Sequence, residues 1–287
     1  MTDQDIRLGD NQYGKAETRL VRVDRHDDRH EITDLNVTTT LAGDLAATHL
    51  TGDNAGVLPT DTQKNTVYAF ARDGIDAIEA FALRLARHFV DTTPTIRRAR
   101  VRIEQYSWER VAHHSFMRNS GTRTTTVTYD GAAATVVSGV DDLVVMNTTG
   151  SEFHGFHEDR YTTLPETDDR ILATAVRADW RYASAGDTDW HASHRAATQH
   201  LIEAFAETHS LSLQQTLYAM GERVLRERDE LAEVRLSLPN RHHFLVDLSP
   251  FELDNPGEVF FAADRPYGLI EGSVVRDGAP DAGLAWW

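Results

Sequence analysis

Ile32-Thr33-Asp34-Leu35-Asn36-Val37-Thr38-Thr39-Thr40-Leu41 sets Leu35, Val37 and Leu41 at alternate positions among polar residues. Successive strand side chains point to opposite faces, so the stretch predicts a strand with one buried and one polar side. Upstream, Leu20-Val21-Arg22-Val23 carries a similar short run, and the Asp-rich segment from Arg25 to His30 is the expected turn between them. Downstream the period changes. Pro59 and Thr60 precede a helical stretch over 62–72. A longer helix over 74–90 has Ile75, Ile78, Phe81, Ala82, Leu85 and Phe89 at helical spacing. Strands over 98–111 and 122–129 complete a ββααββ unit.

The second half repeats that order. Strands are expected over 133–148 and 171–182, helices over 189–207 and 212–229, and strands over 233–248 and 259–275. Pro266-Tyr267-Gly268 interrupts the last of them. A recurring ββααββ order indicates internal duplication. Sequential antiparallel strands with helices on one face define an α+β class, here divided into domains 1–132 and 133–287.

Thr60-x-x-Gln63 and Ser212-x-x-Gln215 both have the form of a capping box. Each predicts a helix start with free N–H groups and the positive end of a helix dipole, a position suited to an anion.

Composition narrows the function classes. A formal charge of −16 argues against nucleic acid as a partner, since phosphate binding needs a basic surface. No apolar run approaches the roughly 18 residues of a membrane helix. The start Met1-Thr2-Asp3-Gln4-Asp5 is acidic, unlike a signal peptide. Without cysteine there is no disulfide, iron–sulfur cluster, thiol nucleophile or Cys-based zinc site. A soluble cytoplasmic protein is the expectation. Aspartate outnumbers glutamate, 28 to 17, and lysine is nearly absent, a surface resembling that of salt-adapted proteins.

Only Lys15 and Lys64 are lysines, against 27 arginines. An ammonium can become a neutral amine and accept a proton, which a guanidinium cannot. The 14 histidines raise a metal hypothesis through His191-x-x-His194 with His200, or His113-His114. The pattern His-Glu-x-x-His is missing, and no metal is expected.

The ordered segments include Tyr13-Gly14-Lys15, Thr60-Asp61-Thr62-Gln63-Lys64-Asn65-Thr66, His114-Ser115-Phe116 and Phe153-His154-Gly155-Phe156. They continue through Asp159-Arg160-Tyr161-Thr162-Thr163-Leu164 and Thr167-Asp168-Asp169-Arg170-Ile171-Leu172. Ser237-Leu238-Pro239-Asn240-Arg241-His242 and Asn255-Pro256-Gly257-Glu258-Val259-Phe260 close the series. Together they resemble the urate oxidase (uricase) family. The resemblance implies two tandem tunnelling-fold (T-fold) domains, each an antiparallel sheet with two helices. It also implies a homotetramer with active sites at subunit interfaces, where Thr60 and Asp61 serve a neighbouring subunit.

The implied reaction takes urate, molecular oxygen and water to 5-hydroxyisourate and hydrogen peroxide, with no cofactor and no metal. By resemblance, Arg170 and Gln214 clamp the urate edge, Phe153 stacks on the purine, and the N–H groups of Asp61 and Leu213 touch either end. Lys15 and Thr60 match the proton-accepting pair, His242 the relay, and Asn240 the residue holding oxygen or water. Burial and Arg170 would favour the neutral amine of Lys15. Leu164 matches lining, whereas Lys64 does not match the proton acceptor. His243 should face away from His242 if the segment is a strand.

The chain departs from eukaryotic members in ending Leu284-Ala285-Trp286-Trp287 rather than Ser-Lys-Leu, which implies a prokaryotic cytoplasmic enzyme. The stretch 183–189 and the tail after Val275 have no assigned role. Two alternatives stand beside this reading: another T-fold enzyme with histidine-held zinc, and a purine-binding protein without turnover.

Overall fold

The computed structural model describes residues 6–25 and 28–287. The acidic start over 1–5, and His26 and Asp27 of the expected turn, lie outside the described residues.

The first half runs β1 (Tyr13–Asp24), β2 (Glu31–Gly43), α1 (Ala46–Thr51), α2 (Thr60–Arg72), α3 (Ile78–Thr92), β3 (Ile96–Ala112) and β4 (Ser115–Tyr129). The second runs β5 (Ala134–Asn147), β6 (Leu172–Tyr182), α4 (Trp190–Glu207), α5 (Leu213–Glu227), β7 (Leu231–Pro239), β8 (His243–Leu245), β9 (Phe260–Ala262) and β10 (Leu269–Val275). Strand order is β1-β2-β3-β4 in the first half and β5-β6-β7-β10 in the second, with β8 and β9 forming a separate pair. Antiparallel sheets with helices make the chain α+β, with the repeated order of a tandem T-fold.

Two compact units divide the chain. One holds 1–138, 181–191 and 280–287; the other holds 139–180 and 192–279. In the first unit Leu35, Val37 and Leu41 are fully buried, as are Val101 and Ile103 from β3 and Leu85 and Phe89 from α3. The alternating run therefore supplies one face of a core, and each such side chain contributes about 1.5–3 kcal/mol by leaving water. Glu79 is also fully buried in this unit. It accepts from Arg123 Nη2 at 2.7 Å and Ser138 Oγ at 2.6 Å.

The structure corrects several sequence expectations. Strand β1 begins at Tyr13, because Tyr13, Gly14 and Lys15 pair with Leu41, Thr40 and Thr39 without any apolar alternation. Helix α1 buries no residue and so carries no amphipathic signal. Strand β4 begins at Ser115, where pairing with β3 starts, and its first residues are largely exposed, so they leave no apolar alternation.

The single strand expected over 233–248 is two strands. Pro239 has no N–H for a ladder and ends β7. Asn240 N then donates to Gly268 O and Arg241 N to Ala173 O, both at 2.8 Å. The 259–275 segment, by contrast, breaks as expected: β9 ends at Ala262 and β10 starts at Leu269, with Pro266-Tyr267-Gly268 between them.

The stretch 183–189 and residues 280–287 of the C-terminal tail belong to the first unit, while 276–279 belong to the second. Tyr182 and Trp190 meet edge to face at 4.8 Å, and Arg181 Nη2 donates to Pro280 O at 3.0 Å. No described helix is long and apolar enough to cross a membrane.

Candidate active site

The expected site residues fall into two groups, one in each unit, and each group is built locally. Lys15, Thr60 and Asp61 belong to the first unit. Lys15 lies on β1 opposite Thr39, just before the irregular pairing between Lys15 and Thr18. A Cβ at Gly14 would lie 1.8 Å from Thr39 O, so only glycine lets β1 close on β2 beside Lys15.

Tyr13 turns its hydroxyl to the loop before α2, accepting from Leu58 N at 2.9 Å and donating to Leu58 O at 3.0 Å. Thr39 Oγ1 donates to Gln63 Oε1 at 2.8 Å, and Gln63 Nε2 reaches Leu58 O at 3.4 Å. These bonds tie the strand pair carrying Lys15 to the helix start carrying Thr60.

That arrangement overturns the first capping box. Gln63 is fully buried and its amide oxygen is taken by Thr39, so it accepts from no backbone N–H at the helix start. Pro59 is the N-cap of α2 and Thr60 is its first helical residue, with no side-chain cap. The Thr60 hydroxyl is thus free of capping, and the N–H groups of α2 ahead of Gln63 have no partner within the helix.

Lys64 Nζ pairs with Asp61 Oδ1 at 2.5 Å, and Asn65 Nδ2 donates to Asp61 Oδ2 at 3.0 Å. Lys64 holds the Asp61 carboxyl below its ordinary range by hydrogen bonding, with a smaller contribution from the charge of Lys15. Lys64 is therefore a partner of the helix start.

The second unit holds Phe153, Arg170, Leu213, Gln214, Asn240 and His242. Arg170 N donates to Ser151 O at 2.7 Å, and its Nε reaches Ser151 Oγ at 3.4 Å. The guanidinium lies 5.1 Å from the centre of the Phe153 ring. A surface salt bridge with Asp168 or Asp169 is not formed. Asp169 instead accepts from Thr149 Oγ1 and Gly150 N, both at 2.9 Å. Among the described residues no carboxylate pairs with Arg170, and burial lowers its pKa. It is a half-buried cation without an anion.

Phe153 exchanges main-chain bonds with Thr167 at 2.8 and 3.1 Å, and Phe156 stacks on its ring at 5.1 Å. The same segment reaches the start of α5. Glu152 N donates to Ser210 O and Ser210 N to Gly150 O.

Here the second capping box forms, because Ser212 Oγ accepts from Gln215 N at 3.2 Å. The Gln215 amide oxygen takes Leu211 N, one residue before the usual partner. Leu213 buries its side chain at the helix start, leaving its N–H as an early unbonded donor, while the Gln214 side chain is exposed.

Asn240 is fixed by its bond to Gly268 and a bridge to Thr174. His242 is half-buried and accepts at its main-chain oxygen from Ala263 N at 2.9 Å. Burial, then Arg170 and His243, lower its pKa below the ordinary 6.5, so the neutral imidazole is favoured. His242 precedes β8 rather than lying in a strand, and His243 Nδ1 approaches Arg241 O at 3.0 Å. The opposite-face argument for His243 therefore loses its premise. Leu164, expected as lining, is 52% exposed.

Of the metal-ligand groupings considered from sequence, the His113 and His114 rings meet at 4.1 Å, while the three histidines of the other have separate partners. His191 is paired with Asp76 at 3.6 Å, His194 Nε2 with Gly139 O at 3.2 Å, and His200 with Glu203 at 3.4 Å. A different set, Glu152, His154 and Asp168, brings one ligand atom from each residue within 4.8 Å. It is internally bonded: Glu152 accepts from His154 at 2.5 Å and His209 at 2.8 Å.

Sequence reasoning missed the supporting residues Tyr13, Thr39, Gln63 and Ser151. Only Tyr13 and Gln63 had a signal, as members of recurring motifs.

Comparison with known proteins points one way. The Uricase family profile matches residues 11–133 and 136–271. A uricase of Arthrobacter globiformis is 53% identical over 281 residues, covering 97% of this chain and 93% of the relative. A uricase of Dictyostelium discoideum is 37% identical over 94% of this chain and 97% of its own. The crystal structure of the Arthrobacter globiformis uricase superposes with a TM-score of 0.95 at 52% identity, covering 99% of both chains. A urate oxidase mutant from Bacillus sp. TB-90 shares the fold, with a TM-score of 0.78 at 23% identity over 93% of this chain and 99% of the other.

Proposed function

The chain belongs to the uricase family, and on that premise we propose which of its residues carry the oxidation of urate. The activity is that of a urate oxidase. Urate, oxygen and water give 5-hydroxyisourate and hydrogen peroxide, and the atoms balance without a further reactant.

Urate is a flat anion, and Arg170 offers it a planar fork of donors. Gln214 completes the clamp with an amide that both donates and accepts. Phe153 stacks on the ring, and the N–H groups of Asp61 and Leu213 meet its two ends. The observation that carries this assignment is the half-buried Arg170 guanidinium over Phe153, with no carboxylate partner among the described residues. Such a cation is costly unless an anion arrives.

Oxidation then needs a further proton removed, making an electron-rich dianion that reduces oxygen. Lys15 accepts this proton through Thr60, whose hydroxyl is not spent on capping. His242 relays it, favoured in the neutral form that can accept. Asn240 holds oxygen and then water beside the ring. No metal or flavin takes part.

Thr60 and Asp61 act on the site of a neighbouring subunit in a homotetramer of the cytoplasm. Two helix starts, α2 and α5, then meet one anion across a subunit boundary.

The test is oxygen uptake and peroxide release when purified protein is given urate, with and without a chelator. One peroxide per urate, unaffected by chelator, is the expected result. Binding without peroxide would refute the catalytic assignment, and loss of activity with chelator would refute the metal-free one.

A further inference from the structure

Strand β3 carries Arg98, Arg100 and Arg102 at alternate positions, so all three project from one face of the sheet. Thr40 and Thr38 on β2 are the register partners of Arg100 and Arg102, and therefore share that face. Thr39 between them points the other way, to Gln63 of α2. The arginine face is thus opposite the helices.

The three cations are not equally served. Arg98 stacks on the Trp287 ring at 3.5 Å, and Arg102 Nη2 pairs with Glu104 Oε1 at 3.1 Å. Arg100 is half-buried, and no carboxylate pairs with it among the described residues. Burial and then the charge of Arg102 lower its pKa, and the Trp287 ring lies 6.0 Å from its guanidinium carbon. On its other flank the Thr128 hydroxyl is buried without a partner.

Arg100 and Arg102 line a cavity of about 250 Å³ with Gln12, Thr38 and Thr40. Each of these side chains can donate a hydrogen bond. Thr38 Oγ1 already accepts from Glu17 N at 3.0 Å, which leaves its own proton to be given. The nearby acids Glu17 and Glu104 line the adjoining cavity on the Arg102 side. In a chain of charge −16, a cavity lined by two arginines and three neutral side chains able to donate, with no carboxylate in its lining, is a specific arrangement.

We propose that this cavity binds an inorganic tetrahedral oxyanion, phosphate or sulfate, between Arg100 and Arg102. The Thr38 and Thr40 hydroxyls and the Gln12 amide take its remaining oxygens. Two guanidinium forks supply directional, charge-assisted bonds that a spherical chloride cannot use fully. The ion relieves the repulsion between the arginines and stabilises the fold by mass action. The site is independent of the urate-binding residues.

Thermal unfolding of the intact assembled protein tests this, with phosphate titrated against sodium chloride at constant ionic strength. Saturating phosphate should raise the midpoint by roughly 2–4 °C, and sulfate should do the same. Arg100→Gln should unfold no lower than the parent without phosphate, because an unpaired cation is removed, and should lose the phosphate increment while retaining urate oxidation. Thr38→Val, which keeps both guanidiniums, should weaken phosphate about 5–10-fold. An equal rise in chloride alone would overturn the proposal, as would an undiminished phosphate response in both variants.

Discussion

Thr39 donates its hydroxyl to the Gln63 amide oxygen at 2.8 Å, with both residues buried in the first unit. Thr39 is the register partner of Lys15, and Gln63 lies one turn into the helix that Thr60 begins. One buried bond therefore couples the strand of the proposed base to the helix of its hydroxyl partner. Leu58 closes the set by accepting from Gln63 and exchanging two bonds with Tyr13.

Gln63→Leu should leave the Thr39 hydroxyl buried and unsatisfied, at a cost of about 1–3 kcal/mol in denaturant unfolding. It should also lower kcat, because proton transfer from a misplaced group is slow. Stability lost with kcat unchanged would confine the pair to a structural role.

Lys15→Met and Arg170→Lys should separate chemistry from binding. The first removes the proposed base and leaves the clamp, so kcat should fall far more than affinity for urate. The second keeps the charge and loses the planar fork, so urate binding should weaken. Equal loss of turnover and affinity in the lysine variant, or normal affinity in the arginine variant, would reassign these residues.

Much of the fold was legible because burial leaves a period. Leu35, Val37 and Leu41 alternate because one sheet face is packed, and Phe81, Leu85 and Phe89 recur because one helix face is. Where burial is weak the signal fades, as in α1 and the first residues of β4. The break after Pro239 follows from the proline's missing donor and the polar run Asn240-Arg241-His242-His243 behind it, which the apolar stretch Phe244-Leu245-Val246 obscured.

Of the site, Thr60, Asp61, Phe153, Arg170 and Asn240 lie in the ordered motifs, whereas Leu213 and Gln214 lie within the second capping box. The environment that makes Arg170 an unpaired cation could not be read, because Asp168 and Asp169 are its sequence neighbours. In the folded chain Asp169 turns to Thr149 and Gly150. The capping boxes show the same limit. Identical spacing produced a cap at Ser212 and none at Thr60, because the Gln63 side chain had a buried partner elsewhere.

Glu79→Ala should be among the most damaging changes in the first unit. It strips Arg123, whose side chain is 13% exposed, of its carboxylate and removes the acceptor of Ser138. Breaking one side of such a pair costs about 3–5 kcal/mol, whereas replacing both by apolar groups is often close to neutral. Glu79→Leu combined with Arg123→Met should therefore be more stable than Glu79→Ala in chemical denaturation. A double variant as unstable as the single one would show that the Arg123 bond to Trp190 O carries the loss.

His242 should titrate below 6.5 in the folded protein, because burial, then Arg170 and His243, disfavour its protonated form. The consequence for stability has a definite sign. Folding favours the neutral imidazole, so this contribution is complete above the unfolded value near 6.5. It is lost as the pH falls through the depressed folded value. Nuclear magnetic resonance of labelled histidine measures the shift directly. Arg170→Gln should raise the His242 value by removing one cation, yet leave it below 6.5, since burial is the larger cause. An unreactive purine anion held by Arg170 should also raise it, by adding negative charge nearby. A value indifferent to both changes would place His242 outside the electrostatic reach of the substrate site and remove it from the proton relay.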